Sequence, residues 1–472
     1  MATGDFSDQL LPRINLVTVF RLGLFQMGLS MMSILTLGVL NRVMIQELTI
    51  PATIVAALLA IPSFVSPTRI WFGQMSDTKP LLGHHRTGYI WIGAAVFAIA
   101  SFLALQVMWQ LGTAVQASGG WTWTSQTIGW TGLLALVFAL YGMAISASGT
   151  AFGALLVDVS EEDNRSQVVG IVWSMLMVGI IVGAIISSSL LKQITLDAPL
   201  EVLRTEINRL FLVVPAIVFG LALLATVGVE KKYSQYASRS TLVNREDGIS
   251  LGRALRVLTA NRQTGIFFTF LLVMTISLFM QEPVLEPYGG EVFGMTIAQT
   301  TKLNAFWGTG TLIGLSTTGF LIVPRLGKKK TTQVGALAVA VCFGLIILSG
   351  TTANQKLLQG ALILFGFASG ITTTGALSLM LDLTAAETAG TFIGAWGLAQ
   401  AMARGLATVT GGAVLDLGKT LFTTLLLAYG LVFALQALGM ILAVWCLSRV
   451  DVAEFRTKAK LAITSVMESE LD

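Results

Sequence analysis

The feature that most constrains this chain is repeated along its length. From Ile14 to Leu447, apolar residues run on in stretches broken only by short polar connections. A helix needs about 20 such residues to cross the hydrocarbon of a bilayer. The runs fall at about 14–40, 50–71, 88–111, 128–157, 167–191, 210–229, 263–283, 299–323, 331–350, 357–381, 389–415 and 420–447, which predicts twelve membrane-spanning helices. Their apolar residues are continuous where an outer-membrane β-barrel would alternate them, so a barrel is excluded. Charged residues make up 11% of the chain and hydrophobic ones 54%. Soluble proteins carry about 25% charged residues, so a large soluble core is excluded too. The 48 glycines suit helices packed closely in lipid.

Lys and Arg orient the bundle. With the N-terminus inside, the inner connections and tails hold nineteen of them and the outer connections six. Both termini are therefore predicted to be cytoplasmic. Met1 to Arg13 lacks a cationic start and a small-residue cleavage site, so no cleaved signal peptide is expected. The net charge of +4 and pI of 9.1 reflect these inner loops and do not argue for a nucleic-acid partner. Cys342 and Cys446 both lie in apolar runs, which makes a disulfide framework improbable.

One long polar connection, 230–262, divides the chain six plus six. The reading is an N-terminal six-helix half at 1–229, a cytoplasmic linker with an amphipathic helix at 230–262, a C-terminal half at 263–448 and a tail at 449–472. The halves repeat weakly at an offset of 224: Tyr141-Gly142 matches Phe365-Gly366, Asp158 matches Asp382 and Gly170 matches Gly394. Two six-helix halves related by an axis along the membrane normal make the major facilitator architecture. The connection after the second span, with Gly73, Asp77, Lys79, His84-His85 and Arg86, resembles that superfamily's loop signature. Gly73 would permit a tight turn. Asp77 would end a helix, where its charge needs an offset from a basic residue and, as the resemblance implies, from the start of span eleven.

Polar clusters close the first span of each half. Leu40-Asn41-Arg42-Val43-Met44-Ile45 is followed by Glu47-Leu48 and Pro51, and Glu282-Pro283 leads into Leu285-Glu286-Pro287-Tyr288-Gly289-Gly290-Glu291-Val292-Phe293-Gly294-Met295. With Ser76-Asp77-Thr78, Arg86 and Tyr89-Ile90-Trp91, these stretches resemble the PucC/LhaA-type branch of the major facilitator superfamily, from about Arg13 to Arg449. The resemblance implies an assembly factor for light-harvesting or photosystem complexes. Such a factor would sit in a photosynthetic membrane (thylakoid or bacterial inner membrane). It would handle chlorophyll or bacteriochlorophyll as cargo, with antenna or photosystem polypeptides and membrane lipids as partners. No resident cofactor is expected.

The residues themselves allow several roles. A charge inside a span is costly and usually faces a cavity or a partner. Arg404 is the deepest, with Gln400 one turn away; it would hold a pigment's oxygens, or clamp helices, or bind a lipid phosphate. Arg21 can snorkel to the surface. Asn41, Gln26 and Gln400 are candidate pigment ligands. Arg42, Glu47, Glu282, Glu286, Tyr288 and Glu291 form a predicted outer polar cluster, either a gate or a latch, in which Arg42 approaches the carboxylates of span seven. Pro283 and Pro287 should kink or end that span, and Gly289-Gly290 should make an irregular turn. His84 and His85 fit a solvated loop better than a pigment site. Gly149-xxx-Gly153, Gly179-xxx-Gly183 and Gly310-xxx-Gly314 should pack helices. The acids sit at span ends, which counts against a proton symporter. No phosphate loop, zinc spacing or nucleophile–base arrangement is present, so an enzyme is not expected. The rival readings are an alternating-access transporter of an amphipathic small molecule and a chaperone of antenna helices that never touches pigment.

Overall fold

The computed structural model of the chain describes residues 13–161, 164–234, 262–382 and 389–451. Apart from an isolated bridge between Leu81 and His84, regular structure among them is helical. The first half comprises α1 (Leu16–Ser33), α2 (Ala52–Phe64), α3 (Thr68–Thr78), α4 (Thr87–Ala117), α5 (Ser125–Val159), α6 (Arg165–Leu190), α7 (Leu200–Thr226) and the short α8 (Val229–Tyr233). The second comprises α9 (Arg262–Phe279), α10 (Leu285–Phe293), α11 (Ile297–Thr317), α12 (Val323–Leu326), α13 (Lys328–Thr351), α14 (Gln355–Asp382), α15 (Ala389–Leu421) and α16 (Leu425–Ser448). Ten helical stretches among the described residues are long and apolar enough to cross a membrane. Span two is built from α2 and α3, which part at Val65 to Pro67 where two prolines, Pro62 and Pro67, interrupt the backbone donors. The predicted amphipathic linker helix and most of the tail lie outside the described residues.

The helices pack as two matched sets. In the first half α1 packs on α6 and α7, α4 on α5 and α7, and α2 and α3 on α5. In the second, α9 packs on α15 and α16, α13 on α14 and α16, and α11 on α14. The same correspondence relates the two main contacts between the sets, α2 with α15 and α6 with α11. Glycine permits the closest crossings. A side chain at Gly310, Gly314 or Gly366 would drive into the backbone of the facing helix between α11 and α14, and one at Gly179 into Met27 and Ser30 of α1. Gly149 and Gly153 differ from the prediction: a side chain at either meets nothing within 4 Å.

Two π-helical stretches, Ile34–Leu40 and Val43–Glu47, continue α1 and bracket Asn41 and Arg42. Such widened turns are uncommon and concentrate at functional places. They bring both side chains to the contact between the halves.

Candidate functional site

The polar residues that end the first span of each half meet in one seam. Asn41 is fully buried and donates its side-chain amide to the Pro283 carbonyl at 2.8 Å. Arg42, 2% exposed, donates to Thr300 Oγ1 at 2.5 Å and to the Met295 carbonyl at 2.7 Å. Glu286 is equally buried: its carboxylate lies against Gly38, and Asn304 donates to its Oε1 at 2.6 Å. Gln46 fills the space over Gly290. A further link comes from Asp416 on α15. It accepts from the backbone N–H of Ala52 (3.0 Å) and from the N–H and hydroxyl of Thr53 (both 2.7 Å), capping α2 from the opposite half. The residue ahead of α2 is Pro51, which offers no cap of its own.

Arg42 does approach the carboxylates of span seven, near enough to Glu286 and Glu291 to interact electrostatically. Its hydrogen bonds nevertheless go to neutral oxygens of the second half, while each acid there has a hydrogen-bonded partner of its own, Asn304 in the case of Glu286. Glu282 pairs with Arg404, whose guanidinium also lies 4.7 Å over the Phe279 ring. Glu291 pairs with Lys419 at 2.8 Å. Arg404 is therefore an ion-paired clamp between α15 and the end of span seven, with its side chain still 44% exposed.

Span seven ends just before Pro283 as expected, but the chain beyond it departs from expectation. The α9 helix ends at Phe279, turns through Met280 to Val284, and resumes as α10 with Pro287 in its first turn. Gly289 and Gly290 are helical, and their value is close approach: side chains there would strike Thr300 and Gln46. Because α10 carries the chain further, Glu282 lies before it and Glu286 in its first turn, neither of them at the tip. Tyr288 does not join the polar rim. It is fully buried, donates to the Ile346 carbonyl at 2.9 Å and packs on Phe293, Tyr429 and Phe433. Glu47 is half-buried beside Arg42 in a shallow pocket with Ile194, Leu203 and Thr296. Gln26 and Gln400 are half-buried on α1 and α15, and no hydrogen bond among the described residues ties them to either cluster.

The loop motif makes a second cluster at the opposite end of the first half. Arg86 is 5% exposed and binds Asp77 and Ser76 Oγ, both at 2.6 Å, and Asp158 at 2.8 Å. Burial alone would lower the basicity of this guanidinium, but the two carboxylates raise it above the ordinary arginine value. Glu230 caps the start of α4 by accepting from the N–H groups of His85, Arg86 and Thr87. Gly73 is not a turn. It sits inside α3, and the turn falls at Leu82-Gly83, both with left-handed φ. Arg21 caps the last carbonyls of α7, at Leu224 (2.6 Å) and Val227. The described polar links between the halves lie at the end of the bundle that holds Arg42; below them the contact is apolar, with Gly405 against Phe64 and Gly308 against Ile180 and Ile181.

Sequence reasoning missed Asp416, Asn304 and Thr300. Each is a single polar residue in an apolar run, with no local signal of its partner.

A family model described as PUCC protein matches residues 39–455, a span that holds both clusters. The chain belongs to the PUCC protein family. Curated relatives include a protein named bacteriochlorophyll synthase 44.5 kDa chain from Rhodobacter capsulatus, 30% identical and covering 90% of this chain and 93% of its own. Protein PucC of the same organism is 29% identical with 93% of each chain covered. Among solved structures, the nucleoside transporter NupG superposes with TM-score 0.64 at 15% identity, covering 92% of this chain and 98% of its own. A bacterial homologue of the iron transporter ferroportin in an inward-facing state gives 0.65 at 13%, covering 93% and 99%. At such identities the likeness shows the fold alone, which is that of major facilitator transporters. With its membrane-length helices, this member of the PUCC family is an integral membrane protein of a photosynthetic membrane.

Proposed function

We propose that the chain is a non-enzymatic assembly factor that delivers or shields a chlorophyll-type pigment while light-harvesting or photosystem complexes are built. The observation that carries this reading is family membership over residues 39–455. The geometry adds to it. The described contact between the halves below the seam is apolar, and beside it the second half carries an accessible ion pair, Arg404 with Glu282. That suits an apolar cargo with a few polar atoms better than a sugar or an ion. In this reading the chain has twelve spans with both termini in the cytoplasm, and the seam seals the outer side. Cysteine labelling of the two tails from each side of sealed vesicles tests the orientation.

The functional test is gentle purification from a pigment-producing host. Pigment absorbance co-eluting with the protein, together with light-harvesting polypeptides, supports delivery. Undiminished co-isolation of those polypeptides from a host that makes no pigment would instead support a chaperone of antenna helices. Counterflow of labelled amphiphiles in liposomes tests transport, which the fold permits.

A further inference from the structure

One charge inside the first half is left over when both clusters are complete. Arg69 lies on α3, is exposed, and its guanidinium makes no hydrogen bond or ion pair among the described residues. A guanidinium within a membrane span without a partner points to a ligand. Its direction follows from helix periodicity. Pro62 and Val65 pack on Gly142 of α5, and Gly73 packs on Thr150 at 3.5 Å. Within α3, Arg69 falls four residues before Gly73, one turn away on the same face, so it looks at α5.

The surface it looks at is open. Counting from Gly142, the residues Gly149, Thr150 and Gly153 lie on the side of α5 turned to α3. Yet side chains at Gly149 and Gly153 would meet nothing within 4 Å. Span two is thus tight on α5 where α2 ends at Gly142, touches it again where Gly73 of α3 meets Thr150, and leaves a crevice at Gly149 and Gly153. The Thr150 hydroxyl is buried there without a partner. The neighbouring Arg86 cannot supply or compete for a ligand, because its guanidinium is committed to Asp77, Ser76 and Asp158.

We infer that the crevice between α3 and α5 is a binding site for an anionic oxygen group, with Arg69 as its cation, Thr150 as a hydrogen-bonding hydroxyl and the two glycines as its floor. A carboxylate on an amphipathic cargo and the phosphate of an anionic lipid share this chemistry. The glycine floor admits a flat apolar body beside the charged group. The cargo arm of this inference rests on the pigment reading above; the lipid arm does not.

The test uses full-length protein in neutral phosphatidylcholine nanodiscs. Binding of pyropheophorbide a and of its methyl ester, the same ring with the carboxylate masked, is read by quenching of tryptophan, Trp71 being exposed two residues from Arg69. In parallel, native mass spectrometry counts retained phosphatidylglycerol. A charge-assisted hydrogen bond should make the acid bind about tenfold or more tightly than the ester. Arg69→Gln should abolish that preference and Arg69→Lys retain part of it. Gly149→Leu, which fills the crevice without touching a charge, should weaken binding of both forms. Loss of acid preference in Arg69→Gln assigns the site to a cargo carboxylate. Loss of retained phosphatidylglycerol, with acid and ester equal throughout, assigns it to lipid even if the pigment reading fails. Equal binding of acid and ester to parent and variant, with lipid retention unchanged, overturns the site while leaving the pigment reading intact.

Discussion

Asp416→Ala should unseal the end of the bundle that holds Arg42. In the sealed structure the Asp416 carboxylate takes three donors from the start of α2, at 3.0, 2.7 and 2.7 Å, and Pro51 provides no substitute. Removing it leaves two backbone N–H groups and a hydroxyl without an acceptor inside a closed contact. A lost helix cap costs about 0.5–2 kcal/mol, and each buried donor left unmet about 1–3 kcal/mol. If the seam parts, water satisfies the same groups, so the penalty falls on the sealed state alone. A net shift of about 2–4 kcal/mol moves the sealed-to-open ratio about 30- to 700-fold. Spin labels at Gln116 on α4 and Thr352 after α13 report it by pulsed electron resonance. Both positions are exposed, and the native cysteines are buried. Gln116 lies at the sealed end, since nearby Gly112 packs on Leu48, and Thr352 follows Gly350, which packs on Tyr288. The distance distribution should gain a longer component in Asp416→Ala and a smaller one in Asp416→Asn. An unchanged distribution in a folded Asp416→Ala protein would refute the idea that this cap holds the halves together.

Three other outcomes are expected. Arg86→Gln should lower stability by about 3–5 kcal/mol in detergent melts, because Asp158 is left buried without its cation; Asp77→Asn should cost far less, since Asp77 is 57% exposed. Tyr288→Phe should lower stability by about 1 kcal/mol through loss of the bond to Ile346, with pigment retention unchanged, as the side chain never reaches the seam. Gly366→Leu should reduce the folded yield, because its side chain runs into the Trp307 carbonyl and lies 2.8 Å from the Thr311 amide, an overpacking cost of about 1–3 kcal/mol or more.

The class of fold and the location of the seam were legible because both are written in local pattern. Apolar runs announce spans, and Asn41, Arg42 and Glu286 announce themselves as polar residues at the wrong place for lipid. What pairs with what was not legible. Arg42 and Arg404 each had several acids within reach, and the choice between them depends on helix rotation, which π-helical turns and the extra length of α10 alter. Asp416 carries no local sign that its target is the start of α2, because that contact spans 363 residues of chain. Glycine patterns were equally ambiguous: the pair at Gly310 and Gly314 packs and the pair at Gly149 and Gly153 does not, although the spacing is the same.

The two clusters differ in how well they are satisfied. Arg86, Asp77 and Asp158 leave no buried side-chain atom without a partner among the described residues, whereas the seam leaves Asn41 Oδ1, Arg42 Nε, Gln46 Oε1 and Glu286 Oε2 unmet. Taking the Arg42 guanidinium out of water costs several kcal/mol. Its two hydrogen bonds to neutral oxygens return about 3–6 kcal/mol, so the balance is close to zero. A seam this evenly poised is held by its many small contacts and by the Asp416 cap, and little free energy is needed to part it. The loop cluster, with two carboxylates on one buried guanidinium, has no such alternative and keeps its half rigid. Polar chemistry at the Arg86 end builds a lasting strut. At the Arg42 end it builds a closure that can yield, which any cargo leaving between the halves on that side would require.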